Sequence, residues 1–219
     1  MAGDFPVVFA LYPDVTQLDF TGPLEVLARL PQARIVLAAA TGGDLAAGGV
    51  TFADVRPLAQ VNECALLCVP GGFGCSAAMA DAEYLGGLRR LAARARYVTS
   101  VCTGSLLLGA AGLLSGLEAT SHWAALEPLE DFGARPTLQR VVEQGKIITA
   151  AGVSSGIDMA LLLAARLAGD DVAQGIQLTI EYDPQPPFDA GSPAKAPAHV
   201  VEAVRASIGR RVAAMATPS

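Results

Sequence analysis

Short apolar runs alternate along this sequence with longer segments in which apolar residues recur at helical spacing. The apolar runs predict buried strands at residues 6–11, 33–40, 65–70, 97–101 and 146–149, and weaker runs predict minor strands near 49–52, 118–121 and 137–141. The longer segments predict helices at 22–30, 82–94, 103–114, 122–130, 155–168, 172–182 and 197–215. This alternation predicts an α/β fold in which helices cover both faces of a mostly parallel sheet.

The chain is expected to form one domain over residues 1–219, because this length lies within the ordinary range for a single α/β domain. The proline-rich segment 183–196 is expected to be an ordered surface loop, since proline suits neither a helix interior nor a central strand. Apolar residues make up 52% of the chain and aromatic residues only 5%. That composition predicts a core of small side chains packed between the sheet and its helices.

The net charge of −6 disfavours nucleic acid as a partner, because a phosphate backbone attracts basic surfaces. No basic segment precedes the first apolar run, so the N-terminus does not resemble a secretory signal. The most apolar helical segment, 157–168, is interrupted by Asp158 and Arg166, and it is much shorter than the about 20 residues that cross a bilayer. We therefore expect a cytoplasmic protein that binds neither nucleic acid nor membranes.

The four cysteines contain no Cys-x-x-Cys pair, and a reducing compartment argues against disulfides. The only histidines, His122 and His199, have no second metal-ligating residue at a typical spacing. The sequence therefore predicts no metal site.

Residues 97–114 carry the strongest chemical signal, because a buried strand runs directly into a helix with Cys102 at the joint. So tight a turn exposes the side chain at its apex, and a small residue two positions later, here Gly104, lets helix and strand pack closely. The dipole and free amides at the helix start are expected to stabilise a thiolate and to lower the pKa of Cys102. These features predict a nucleophile. A buried structural cysteine and an oxidisable redox sensor remain open as alternatives.

Two loops at the ends of predicted strands could serve the same site. Asp19 follows the first strand, at the end of the sheet where ligands collect in parallel α/β folds, although an aspartate there also fits a helix cap. Gly71 and Gly72 follow the third strand, and their amides are expected to stabilise a developing negative charge. A plain glycine turn is the alternative for this segment.

His122 lies after a minor predicted strand, where it fits either a base near Cys102 or a helix cap. The residue that follows the cysteine is Thr103 and not a histidine, so activation by the helix and Asp19 is favoured over a Cys-His dyad. Cys75 could lie near the site, whereas Cys64 and Cys68 fit structural positions.

Together these segments resemble the ThiJ/PfpI superfamily, and within it the enzymes that hydrate isonitriles. The matching segments cover nearly the whole chain, and they are residues 17–23, 69–72, 97–105, 119–123, 152–153, 156–158, 181–182 and 186–193. Asp19, Cys102 and Thr103 favour the isonitrile branch, since other members typically have Glu at the first of these positions and proteases have His at the third. The resemblance implies a flavodoxin-like sandwich of the class I glutamine amidotransferase type.

The resemblance also implies a reaction, the addition of water to a small-molecule isonitrile to give an N-substituted formamide. Cys102 would form a covalent thioimidate, Asp19 would act as general acid and base, and Thr103 would hold the water or Asp19. His122 and Gly152 are expected beside the site. No cofactor is implied, and the family resemblance suggests a homodimer. Residues 149–152 are less glycine-rich than the pattern of this branch, and Ser154 stands where Thr is expected, which affects pocket shape and substrate range.

Two other functions compete with this one. A glyoxalase-like or deglycase-like activity on small carbonyl compounds would use the same thiolate, although Asp19 in place of Glu argues against it. A non-catalytic ligand-binding domain, like the sensors of AraC-type regulators, shares much of the same pattern.

Overall fold

The computed structural model describes residues 4–215 and contains a central sheet of eight strands in the order β3-β4-β2-β1-β5-β6-β10-β9. A separate pair, β7 and β8, forms a small parallel sheet. The strands are β1 Phe5–Ala10, β2 Ala33–Ala39, β3 Gly43–Ala47, β4 Val50–Pro57, β5 Leu66–Val69, β6 Tyr97–Val101, β7 Glu118–Ala119, β8 Arg135–Pro136, β9 Val141–Gln144 and β10 Ile147–Ala150.

The centre of the sheet is parallel, and only the edge strands β3 and β9 run antiparallel to their neighbours. All residues of β5 and nearly all of β1 and β6 are buried, as expected for strands covered on both faces. The α/β fold with a mostly parallel sheet is confirmed.

Seven α-helices lie in the described residues: α1 Gln17–Leu27, α2 Cys75–Ala80, α3 Ala82–Arg94, α4 Gly104–Ala110, α5 Ser155–Ala168, α6 Asp170–Thr179 and α7 Ala198–Met215. Helices α1, α5 and α6 pack together on one face of the sheet, and α2, α3 and α4 pack together on the other. The sandwich therefore has three layers. None of the helices within residues 4–215 is long and apolar enough to cross a membrane.

Several boundaries differ from the prediction. Helix α1 begins at Gln17, ahead of the predicted start at residue 22, and Pro23 lies inside it. The predicted helix 122–130 is instead two short 3₁₀ segments, since Pro128 lacks the backbone N–H that a continuous helix needs. Strand β9 lies at Val141–Gln144, after the predicted 137–141, and neither β3 nor α2 was predicted.

One further prediction agrees with the structure. Residues 183–196 contain neither helix nor strand, as their proline content indicated. All four cysteines are free and buried.

Candidate functional site

The predicted site residues meet where β1, β5 and β6 end. Strand β1 lies between β2 and β5, so the chain reverses its direction across the sheet at this point. Ligands of open α/β sheets bind outside the carboxyl ends of the strands at such a reversal. Asp19 lies in the first turn of α1, Gly71 and Gly72 follow β5, and Cys102 follows β6. The fold therefore brings together residues from three separate segments of the chain.

Cys102 adopts the left-handed backbone conformation, with φ 58°, which costs about 1–2 kcal/mol for a residue with a side chain. Its N–H donates to the carbonyls of Ala150 and Ala151, at 3.0 and 2.7 Å, and its own carbonyl accepts from the hydroxyls of Ser105 and Ser121. These bonds hold the strained turn in place. The predicted tight turn at Cys102 between β6 and α4 is present, and we call it the elbow.

Gly104 explains how the elbow can be so tight. A Cβ atom at this position would lie 2.0 Å from the carbonyl oxygen of Val69 on the neighbouring strand. Only glycine fits there, so the small residue that the sequence pattern required has a direct steric cause.

Asp19 is completely buried, and its Oδ2 accepts a hydrogen bond from the Gly71 N–H at 2.9 Å. The other oxygen, Oδ1, has no hydrogen-bond partner within the described residues. Burial raises the pKa of Asp19 to about 7, although the Gly71 N–H and the Cys102 thiol oppose part of that rise. The cap of α1 is Thr16 and not Asp19. This carboxyl group can therefore gain or lose a proton near neutral pH.

The expected lowering of the Cys102 pKa is wrong in direction. Burial of the thiol raises the pKa of Cys102 well above the ordinary value of 9.0, and the nearby charge of Asp19 raises it further. The Thr103 amide offsets only part of this rise. Helix α4 is short and cannot overcome the loss of solvent around the sulfur. The thiol is therefore protonated at rest, and an adjacent base must take its proton to make it nucleophilic.

The expected role of Gly71 and Gly72 also needs correction. The Gly71 N–H donates to Asp19, and the Gly72 N–H donates to Thr103 Oγ1 at 3.0 Å, so both amides already have partners. A Cβ atom on Gly71 would lie 2.5 Å from the Thr103 nitrogen and 2.9 Å from Asp19 Oδ2. These glycines position Asp19 and Thr103 by close approach, and they are not free donors for a developing charge.

His122 lies half-buried at the same site, and its Nδ1 accepts a hydrogen bond from the Ala124 N–H at 3.2 Å. Burial lowers the pKa of the imidazole below 6.5, so the ring is neutral at pH 7 and its proton is assigned to Nε2. Gly152 packs against this ring, because a Cβ atom at this position would lie 3.3 Å from Cδ2 of His122. The histidine therefore caps the segment Trp123–Ala125, and it lines the same cavity as Cys102.

A cavity of about 380 Å³ opens onto the thiol. Its polar lining comes from Thr16, Ser76, Cys102, Thr103 and His122, and its apolar lining includes Phe73, Met79, Leu106, Ala124, Ala125, Pro128, Val153, Ile208 and Val212. None of the residues that line it carries a charge at neutral pH. The cavity suits a small, uncharged and largely apolar molecule.

Tyr12 supports the turn after β5, and no pattern in the sequence indicated this role. Its hydroxyl donates to the carbonyl of Pro70 at 3.0 Å, and its ring packs edge to face against Tyr84. Both rings are buried in the core. Tyr12 therefore fixes the turn that carries Gly71.

The remaining cysteines differ in their relation to the site. Cys75 lines the cavity, and its Sγ donates to the Thr103 carbonyl at 3.3 Å, whereas Cys64 and Cys68 lie in the core away from the cavity. Burial raises the pKa of each of the three to about 12. Within residues 4–215, no cluster of three or more His, Cys, Asp or Glu side chains could hold a metal ion.

Comparison with known proteins identifies the family of this chain. The DJ-1/PfpI family matches residues 6–166. An isonitrile hydratase from Pseudomonas putida is 49% identical over 201 residues, which cover 90% of this chain and 87% of that protein. A THiJ/PfpI family protein from Pseudomonas syringae superposes with a TM-score of 0.91 at 40% identity, over 99% of this chain and 92% of that one. Drosophila melanogaster DJ-1β shares the fold, with a TM-score of 0.73 at 22% identity over 82% of this chain and 98% of its own. The chain belongs to the DJ-1/PfpI family.

Proposed function

We propose that this protein is an enzyme that adds water to isonitriles, R–N≡C, and releases N-substituted formamides. One observation carries the proposal: a buried carboxyl group, Asp19, with a pKa of about 7 interacts with the thiol of Cys102 beside an uncharged, largely apolar cavity. The identity of 49% with an isonitrile hydratase over most of both chains supports the same reaction.

In the first step, the ionised Asp19 accepts the proton of Cys102, and the thiolate attacks the terminal carbon of the isonitrile. That carbon then takes the proton back from Asp19. The S–H bond is replaced by an S–C and a C–H bond, which gives a thioimidate, Cys102–S–CH=N–R. A carboxyl group with a pKa near the working pH suits this exchange, because it is an adequate base before the attack and an adequate acid after it.

In the second step, Asp19 takes a proton from a water molecule while the oxygen attacks the thioimidate carbon. The C–S bond then breaks, the second proton of the water passes from oxygen to nitrogen, and the formamide R–NH–CHO leaves. Protonation of the thiolate by Asp19 restores the starting state. The reaction has no net redox change, and all electrons come from the sulfur, the water and the isonitrile, so no cofactor is needed.

Thr103 and His122 complete the proposed machinery. The Thr103 hydroxyl accepts from the Gly72 N–H and lies beside the Gly71 amide that holds Asp19, so it can fix both the carboxyl group and the attacking water. The Nε2–H of His122 is a neutral donor suited to the substrate nitrogen as negative charge develops there. A homodimer stays a prediction of the family resemblance.

A steady-state assay tests the proposal by following formamide formation from an aryl isonitrile at neutral pH. Wild-type protein should turn the substrate over, and Cys102→Ala should have no activity above background. Cys64→Ala is the matched control, because it removes a buried thiol outside the cavity and should retain turnover. Near-normal activity of Cys102→Ala would overturn the mechanism, and folded wild-type protein with no isonitrile turnover would overturn the reaction and direct attention to small carbonyl compounds.

A further inference from the structure

The outer wall of the cavity comes from α7, far along the chain from the catalytic segments. Ile208 and Val212 line the cavity together with Phe73 and Pro128. They are separated by four positions, so both side chains lie on the same face of the helix. The family match ends at residue 166, and α7 spans Ala198–Met215, so this wall lies outside the part of the chain that defines the family.

Helix α7 lies at the surface of the domain. None of its 18 residues is buried. Two cation-π contacts flank the wall residues: the guanidinium of Arg205 lies 5.0 Å from the centre of the Trp123 ring, and that of Arg211 lies 4.0 Å from the centre of the Phe73 ring. Both rings belong to segments that build the cavity. These contacts tie the part of α7 that carries Ile208 and Val212 to the segments that line the cavity.

The direction of the substrate follows from its chemistry. The terminal carbon of a linear R–N≡C group must contact the sulfur of Cys102, so the group R extends away from the thiol. The residues available to contact R are apolar or uncharged, and Cys102 itself is only 6% exposed. The size of R is therefore limited by the apolar side chains that line the cavity, and these include Ile208 and Val212 of the surface helix α7.

We propose that Ile208 and Val212 are specificity-determining residues, which select substrates by the size of the apolar group on the isonitrile nitrogen. This inference rests on the proposed isonitrile reaction. Smaller side chains at these positions enlarge the cavity and favour bulky R groups, while they weaken the contacts that hold small ones.

The test compares kcat/KM for a small alkyl isonitrile and a bulky aryl isonitrile. Ile208→Ala and Val212→Ala should each raise the bulky-to-small ratio by about tenfold, the size of effect expected when a few methyl groups are removed from an apolar pocket. Val200→Ala is the matched control, since Val200 is an exposed residue of α7 that does not line the cavity. Its ratio should equal that of the wild type. An unchanged ratio in both wall variants would overturn the inference, as would an equal change in the control.

A second readout does not depend on isonitrile turnover. Alkylation of Cys102 by iodoacetamide and by a bulky N-aryl iodoacetamide is followed by mass spectrometry of the Cys102 peptide. Ile208→Ala should accelerate the reaction with the bulky reagent relative to the small one, and Val200→Ala should not. If the wild type turns over no isonitrile but the ratio of alkylation rates changes in Ile208→Ala, the proposed isonitrile reaction is wrong. The assignment of Ile208 and Val212 as size-selecting residues then still holds. If isonitriles are turned over but neither ratio changes, the wall assignment alone fails.

Discussion

Replacement of Asp19 by Asn should stabilise the protein at neutral pH while it removes the proposed acid and base. The substitution keeps an oxygen that can accept the Gly71 N–H, so that hydrogen bond is retained and chiefly the ionisable proton is lost. In the unfolded chain the carboxyl group ionises near its ordinary pKa of 3.8, but burial raises the pKa in the folded protein to about 7. Folding therefore favours the protonated form of this side chain.

The sign and size of the effect follow from proton linkage. Between pH 3.8 and about 7 the unfolded chain has released this proton and the folded chain still holds it, so the stability of the wild type falls as pH rises through that window. Each pH unit corresponds to about 1.4 kcal/mol, which gives a total loss of about 4 kcal/mol. The Asp19→Asn variant has no carboxyl group here and does not lose stability in this way. Its free energy of unfolding relative to the wild type should therefore increase by about 4 kcal/mol between pH 3.8 and about 7.

Urea unfolding at several pH values between 4 and 8 measures the difference between the two proteins, so that the contributions of all other groups cancel. Asp14→Asn is the matched control, because Asp14 lies just ahead of α1 and is exposed to solvent. An exposed side chain has no comparable burial, so this variant should lack the gain of about 4 kcal/mol expected for Asp19→Asn. A constant difference for Asp19→Asn would refute the argument that burial controls the Asp19 carboxyl group.

Three further predictions concern the elbow and its surroundings. Gly104→Ala should destabilise the protein by at least about 3 kcal/mol in thermal or urea unfolding, whereas Gly86→Ala, in open space on a helix, should stabilise it by up to about 1 kcal/mol. Thr103→Val should lower kcat and cost about 1–3 kcal/mol because the Gly72 N–H loses its acceptor, and Thr103→Ser should restore both quantities. In initial-rate measurements from pH 5 to 9, kcat/KM should rise with an apparent pKa of about 7 as Asp19 ionises, and a flat profile would contradict its role as the base.

The parts of the site that sequence could predict depend on neighbouring residues or on the general rule that the ends of parallel strands meet at one edge of the sheet. A strand that enters a helix directly at Cys102, with Gly104 two positions later, determines the elbow locally. The alternation of apolar runs and helical segments likewise determines the layered fold. Asp19 and Gly71 could be assigned to the same end of the sheet, because the ends of parallel strands meet there.

The features that escaped prediction depend on long-range contacts. The pKa of Cys102 is controlled by burial and by Asp19, and neither effect can be read from the start of α4. The amides of Gly71 and Gly72 were expected to be free, but their partners come from segments distant in the sequence. The helix that contains Ile208 was predicted correctly, yet nothing in its pattern indicates that it closes a cavity.

The most direct test of the central claim is to trap the covalent intermediate on Cys102. Wild-type protein is mixed with excess isonitrile, quenched with acid within milliseconds to seconds, and examined by intact-protein and peptide mass spectrometry. The mechanism predicts a mass increase equal to one isonitrile molecule, located on the Cys102 peptide, formed within a single turnover and absent from Cys102→Ala. An adduct on Cys75, or rapid formamide production with no adduct on Cys102 at any time, would contradict nucleophilic attack by this cysteine.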